Sequence, residues 1–232
     1  MASAGDGTVR FFDASSLAPH GSIALGDDAD CLRVDPKTGE VVVGYGSGAL
    51  AILDPVRREV VRTIKLGAHP EGFQIDGANR KAFVNVPDAH EITVLDLDTG
   101  RVVANWRAAH VANFPMALSE DAGMIGVVYR VPARLVVLEP ATGVAKADLP
   151  TCDDADDVFF DDRRSRMYVS CGSGAIDVFG QAGGKYVASA HIETRPGART
   201  SLFSPALDRL FVAARAGSGG QTAALLVYRP AP

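Results

Sequence analysis

The sequence predicts an all-β chain assembled from repeated four-stranded antiparallel sheets, and three observations predict it. Five segments share one design of an apolar run, a polar turn and a second apolar run: "LRVDPKTGEVVVGY", "FQIDGANRKAFVNV", "MALSEDAGMIGVVY", "VFFDDRRSRMYVSC" and "SLFSPALDRLFVAA". Their equivalent positions Val34, Ile75, Leu118, Phe160 and Phe203 are separated by 41, 43, 42 and 43 residues. The runs are mostly five to eight residues of Val, Ile, Leu and Phe bounded by Gly, Pro, Asp and Asn. That length and punctuation belong to strands rather than to helices.

Within each repeat the first two runs form a hairpin. "Asp35-Pro36-Lys37-Thr38-Gly39" shows the reason, with φ pre-set at Pro and Gly where a positive φ is needed. A third run follows as "ALAILDP", "EITVLDL", "RLVVLEP", "AIDVFGQ" and "AALLVYR". In three repeats it is joined to the second by "Gly46-Ser47-Gly48", "Gly172-Ser173-Gly174" and "Gly217-Ser218-Gly219". A fourth run closes most repeats as "EVVRTIKL", "RVVANWRA", "GVAKADLP" and "YVASAHIE". Repeats of about 40 to 45 residues with four antiparallel strands each are the signature of β-propeller blades.

Composition agrees with one folded domain over residues 1–232. Apolar residues make up 47% and charged residues 22% of the chain, which excludes a disordered tail. No apolar run approaches the ~20 residues of a membrane span. The net charge is −5 and the basic residues are scattered, so no nucleic-acid partner is expected. Cys31, Cys152 and Cys171 form neither a CxxC pair nor a disulfide framework. Cys152 and Cys171, 19 residues apart across one repeat, come within reach of each other, but buried thiols are the commoner arrangement.

The second runs "Phe83-Val84-Asn85-Val86", "Tyr168-Val169-Ser170-Cys171" and "Phe211-Val212-Ala213-Ala214", with the third run "Ile92-Thr93-Val94-Leu95-Asp96", resemble the YVTN β-propeller repeat family over essentially the whole chain. The repeat around Leu118 departs from that pattern, with "Gly126-Val127-Val128-Tyr129" lacking the aromatic start. The resemblance implies a bacterial, seven-bladed, largely exported propeller in a periplasmic or secreted setting. Aligned to the repeat, "Gly5-Asp6-Gly7" falls at a second-to-third turn, so Thr8 to Asp13 is a third strand and Gly21 to Leu25 a fourth. "AALLVYRPAP" is a third strand with no fourth behind it. Against seven blades, this inventory of a little over five leads to the expectation of an N-terminally incomplete ring, short of one to two blades. The first eight residues show no secretory signal.

In a propeller the loops leading into the first strands sit at the channel mouth, the default ligand site. Four residues before Val34 and its equivalents stand Asp30, Glu71, Phe114, Asp156 and Arg199; two earlier stand Asp28, His69, Ala112, Asp154 and Gly197. With neighbouring Asn113, the expected ligand-binding set is Asp30, His69, Glu71, Asn113, Asp154, Asp156 and Arg199. No catalytic residue is expected, since none of Ser47, Ser173 or Ser218 carries the flanking glycines of a nucleophile elbow. "Gly44-Tyr45-Gly46-Ser47-Gly48-Ala49" matches a loose dinucleotide pattern but leads into a strand instead of the helix such a site requires. No cofactor is expected; the acids offer oxygen ligands to a divalent cation, without a compact loop motif to gather them. "Asp161-Asp162-Arg163-Arg164-Ser165-Arg166" reads as an exposed turn with solvated charges. The function expected is non-enzymatic binding of a small polar molecule or a protein partner at the channel mouth. The alternative is a lactonase-like hydrolase of sugar lactones, and a quinone- or haem-associated propeller ranks last because no CxxCH is present.

Overall fold

The computed structural model describes residues 1–217 and 220–231, and these form six antiparallel sheets. Four sheets have four strands and two have three, and no sheet contains a crossover. The fold is a β-propeller, and each sheet is one blade. Blade 1 is β1 (Ala2–Ser3), β2 (Thr8–Phe12) and β3 (Pro19–Ala24). Blade 2 is β4 (Leu32–Val34), β5 (Val41–Tyr45), β6 (Ala49–Asp54) and β7 (Glu59–Lys65). Blade 3 is β8 (Phe73–Asp76), β9 (Lys81–Val86), β10 (Glu91–Asp96) and β11 (Arg101–Arg107). Blade 4 is β12 (Val111–Ser119), β13 (Met124–Val131), β14 (Ala133–Leu138) and β15 (Ala145–Pro150). Blade 5 is β16 (Ala155–Asp161), β17 (Arg166–Cys171), β18 (Ala175–Ala182) and β19 (Lys185–Glu193). Blade 6 is β20 (Ser201–Ser204), β21 (Arg209–Ala214) and β22 (Ala224–Tyr228).

The repeat holds to the residue. Val34 pairs with Val41, Ile75 with Ala82, Leu118 with Ile125, Phe160 with Met167 and Phe203 with Leu210, the same register in five hairpins. Each four-stranded blade also has a bulge where its third strand pairs with its fourth, after Ile52, Val94, Val137 and Val178. Such a bulge strengthens local twist. Blade 1 is one strand fuller than expected, because the two residues of β1 pair with β2.

The blades fall into two compact units, blades 1–3 in residues 1–108 and blades 4–6 from residue 109 onward. Inside each unit, the middle sheet buries both faces against its neighbours. In the first unit Val42, Leu50, Ile52 and Ile64 of blade 2 pack on Phe73, Ile75, Ala82 and Val84 of blade 3. The opposite face of blade 2, Val41, Val43, Ala51 and Leu53, packs on Val9 and Ile23 of blade 1. Burial on both faces explains why second strands read as unbroken apolar runs rather than as alternation. Val34 lies on the face turned to blade 1, which has no strand opposite it, and is 56% exposed. In the second unit, blades 4 and 5 share a core of Leu135, Val137, Val158, Met167 and Phe179. Blades 5 and 6 share Tyr168, Ile176, Val178, Phe203, Leu210 and Val212.

Turn chemistry follows the sequence. The Asp closing a third strand accepts from backbone N–H groups of the following turn: Asp54 from Val56 and Arg57, Asp96 from Thr99, each at 2.7–2.9 Å. Gly48 (φ +150°) and Gly174 (φ +95°) sit in equivalent second-to-third turns. A Cβ there would stand 2.9 Å from Ala68 O and 2.8 Å from Pro196 N, so glycine is required by close approach as well as by conformation. The third expected turn, around Ser218 and Gly219, lies outside the described residues.

The segment Asp161 to Arg166 is not a set of solvated charges. It forms a 3-10 turn over Asp162–Arg164, and the Asp161 carboxylate is buried. That carboxylate accepts from the Tyr168 hydroxyl at 2.7 Å and from Arg164 at 3.0 Å, while Arg164 also reaches Asp208 of blade 6 at 2.8 Å. Ser119 of blade 4 donates to Asp162 in the same way. In the first unit, Arg80 of blade 3 donates to both oxygens of buried Asp35 in blade 2 at 2.8 Å. These partners lie 43 to 45 residues apart, so in these three contacts a hairpin turn is tied to the next blade one repeat length away.

Candidate functional site

In the second unit, the loops leading into β16 and β20 bring opposite charges together. Asp154 precedes β16 with φ +59°. Its carbonyl accepts from Gly172 N at 2.8 Å, and the Cys152–Cys171 disulfide fastens the same loop to the end of β17. So held, Asp154 accepts from Arg199 at 2.6 and 2.7 Å through its two oxygens. Asp156 accepts from Arg130 at 3.0 Å and lies 3.6 Å from Arg199 Nε. Arg130, near the end of β13, also donates Nε–H to Ala155 O at 2.9 Å and lies over the Phe114 ring, 4.1 Å from its centroid. Thr200 donates to Asp156 at 3.3 Å, and Ser201 N to Asp157 at 2.6 Å. The result is a square of two guanidinium groups and two carboxylates, with side chains 21–45% exposed. The hydrogen bond that Arg199 donates to Asp154 and the nearby charge of Asp156 raise the Arg199 pKa, so it stays cationic at any working pH.

In the first unit the equivalent loops make a looser arrangement. His69 Nδ1 contacts Gly46 O at 2.5 Å, and its Nε2 lies 3.7 Å from Asp28. Asp30 and Glu71 are fixed through their backbones, Asp30 N to Gly44 O at 3.0 Å and Glu71 N to Asn85 O at 2.9 Å. Among the described residues, no three His, Cys, Asp or Glu side chains gather as metal ligands would.

Of the expected residues, the structure therefore joins Asp154, Asp156 and Arg199 in one unit and His69 with Asp28 in the other. Asn113 is not a loop residue: it lies within β12 and is fully buried, beside the register shift between Asn113 and Met116. Arg130 was missed. It stands where blades 2 and 5 have Gly46 and Gly172, so the departure of the blade 4 repeat from the common pattern was the available signal. The recurrence of Asp at one loop position has a backbone cause too, since Asp28, Ala112, Asp154 and Gly197 all have positive φ. Asp tolerates that conformation better than most residues. Cys152 and Cys171 are a disulfide with Cα atoms 5.8 Å apart, not a pair of buried thiols, and Cys31 takes no part in a disulfide.

No protein-family profile matches the chain, and no curated protein matches it in sequence. Solved structures share its fold. A chain from the crystal structure of the mitotic checkpoint complex superposes with a TM-score of 0.82 at 14% identity, covering 97% of this chain and 70% of that one. A chain of Kuenenia stuttgartiensis hydrazine synthase superposes with a TM-score of 0.76 at 16% identity, covering 89% and 67%. At these identities the likeness is one of fold, and it defines the class as β-propeller. Among the described residues, no helix is long and apolar enough to cross a membrane.

Proposed function

We propose that this chain is a non-enzymatic binding protein of the YVTN propeller type, which docks a polar partner on the loops carrying Arg130, Asp154, Asp156 and Arg199. The observation that carries the reading is the neutral square itself. Its four charges are held by strand ends and a disulfide, remain partly exposed, and are matched within the cluster. A small anion would have to displace Asp154 from Arg199, whereas a protein surface bearing both signs can add to the open sides of all four groups. A protein partner is therefore favoured over a free anionic ligand. The disulfide supports an oxidising setting, periplasmic or secreted.

The test is a thermal-shift screen with sugars, hydroxy acids and lactones, beside selection from a displayed peptide library, with each hit titrated on purified protein. Arg199→Ala or Asp156→Asn should weaken a genuine hit about ten- to a hundredfold, the size of a lost charge-assisted hydrogen bond. Affinity untouched by both changes removes the site. Consumption of a lactone in place of simple binding replaces the reading with a hydrolase.

A further inference from the structure

Blade 5 departs from the repeat where its third strand turns into its fourth. In blades 2 to 4 the third strand closes with an acid, Asp54, Asp96 or Glu139, which accepts a hydrogen bond from the turn that follows. Counted from the bulge, the same position in blade 5 is Gly180. The hairpin then runs on through Gln181 paired with Tyr186 and Ala182 paired with Lys185. Gln181 lies two residues after Phe179, so both point to the face turned toward blade 4, where Tyr186 packs on the core shared by the two blades.

This extension walls a cavity of about 170 Å3 between blades 4 and 5. Its apolar surface is the rings of Phe160 and Tyr186. Its polar surface comes from Asp121 in the β12–β13 turn, Asp162 and Ser165 in the β16–β17 turn, and Gln181. These turns lie at the end of the strands opposite the Asp154–Arg199 cluster, because β16 carries the chain from one end to the other.

The Tyr186 hydroxyl is buried and has no hydrogen-bond partner among the described residues. Buried hydroxyls are paired in almost all folded proteins, so the cavity is where a partner has to come from. Two carboxylates line the cavity, and among the described residues no Lys, Arg or His does. Asp162 is met by the neutral Ser119 hydroxyl, while Arg163 and Arg164 line a different surface with Asp208. An anionic ligand would be repelled, and a neutral sugar would leave both carboxylates unmatched. The volume is close to the ~150 Å3 of an engineered cavity that holds benzene, and aromatic faces attract organic cations.

We propose that this cavity binds a small organic ammonium ion, with its apolar body against Phe160 and Tyr186 and its N–H groups toward Asp121, Asp162 and the Tyr186 hydroxyl. Charge-assisted hydrogen bonds supply selection for the cation, and ring contact supplies selection for the body. The site does not depend on the loop cluster or on the function proposed for it.

The experiment is calorimetric titration of the whole chain with benzylamine, beside benzyl alcohol, benzoate and glucose. Benzylamine should saturate one site, benzyl alcohol should bind at least tenfold more weakly, and benzoate and glucose should not bind. Asp121→Asn should weaken benzylamine about tenfold, the size of a lost charge-assisted hydrogen bond, whereas Asp88→Asn, an exposed acid in the first unit, should change nothing. Tyr186→Phe should weaken benzylamine severalfold without lowering the urea midpoint of the ligand-free chain, because the hydroxyl makes no bond within the fold. A lowered midpoint with unchanged affinity overturns the proposal, since the hydroxyl would then serve the fold alone. Equal affinity for benzylamine and benzyl alcohol, or no saturable uptake of benzylamine, also overturns it and leaves the cavity to ordered water only.

Discussion

Asp35 shows how a polar residue is accommodated inside an apolar sandwich. Its carboxylate is buried, accepts from Lys37 N at 2.9 Å, and receives one Arg80 N–H group on both oxygens. Desolvation alone would raise its pKa, but the Lys37 backbone N–H and the Arg80 guanidinium outweigh it and hold the group below its ordinary 3.8. Removing the carboxylate leaves Arg80 facing a desolvated gap, although exposed Asp98 at 2.8 Å keeps part of its charge matched. Asp35→Ala should therefore lower unfolding free energy by about 3 kcal/mol, the lower end for breaking a buried pair, as measured by urea titration. The sign of the pH effect follows from the depressed pKa. The carboxylate's contribution is complete above the unfolded-state value near 3.8 and is lost as pH falls through the folded-state value. Wild type should thus lose stability more steeply than Asp35→Asn below about pH 4, and parallel acid limbs would remove Asp35 as the cause.

Elements are held to one another by turns and by one covalent link. Gly174 packs its backbone against Arg195 and Pro196, the loop leading from blade 5 to blade 6, at a φ of +95°. Gly174→Ala should cost more than about 1 kcal/mol, because neither the conformation nor the 2.8 Å approach accepts a methyl group. Gly39→Ala, with positive φ and open space around it, isolates the conformational part of that cost in the same denaturation assay. The Cys152–Cys171 link closes a loop of 19 residues, and replacing both cysteines by alanine should cost about 2–4 kcal/mol. Thiol titration of the unfolded, unreduced protein should find only Cys31. Hairpins and turns were legible in the sequence because each depends on residues adjacent in the chain, as Asp35 to Gly39 or Gly46 to Gly48 do. Arg164 and the disulfide were not, because their partners lie a blade away or across a sheet. The loop cluster was half legible: the repeat register found Asp154, Asp156 and Arg199, whereas Arg130 reaches them from the far end of a second strand.

At the scale of the whole molecule, blade 6 buries one face against blade 5 and leaves the other exposed. The face of blade 6 turned away from blade 5 carries Leu202, Leu225 and Val227 at 58%, 62% and 53% exposure. Cross-strand pairing makes them one patch, since Leu202 opposes Phe211, Phe211 opposes Val227 and Ala213 opposes Leu225. In blade 5 the corresponding face is covered by Phe203, Leu210 and Val212 of blade 6, so the exposed surface has the chemistry of a blade interface. Apolar patches of this kind beside an unpaired strand edge drive association. The chain as it stands should self-associate with rising concentration, read by sedimentation velocity or light scattering. Leu225→Lys combined with Leu202→Glu should return it toward a monomer without lowering its urea midpoint, because both side chains already face solvent. Association through this patch is dispersed by Leu225→Lys and survives Val60→Asp on the exposed outer strand of blade 2, and the reverse pattern would place the contact elsewhere. A wild-type chain that stays monomeric to high concentration would show that the patch is too small to act alone.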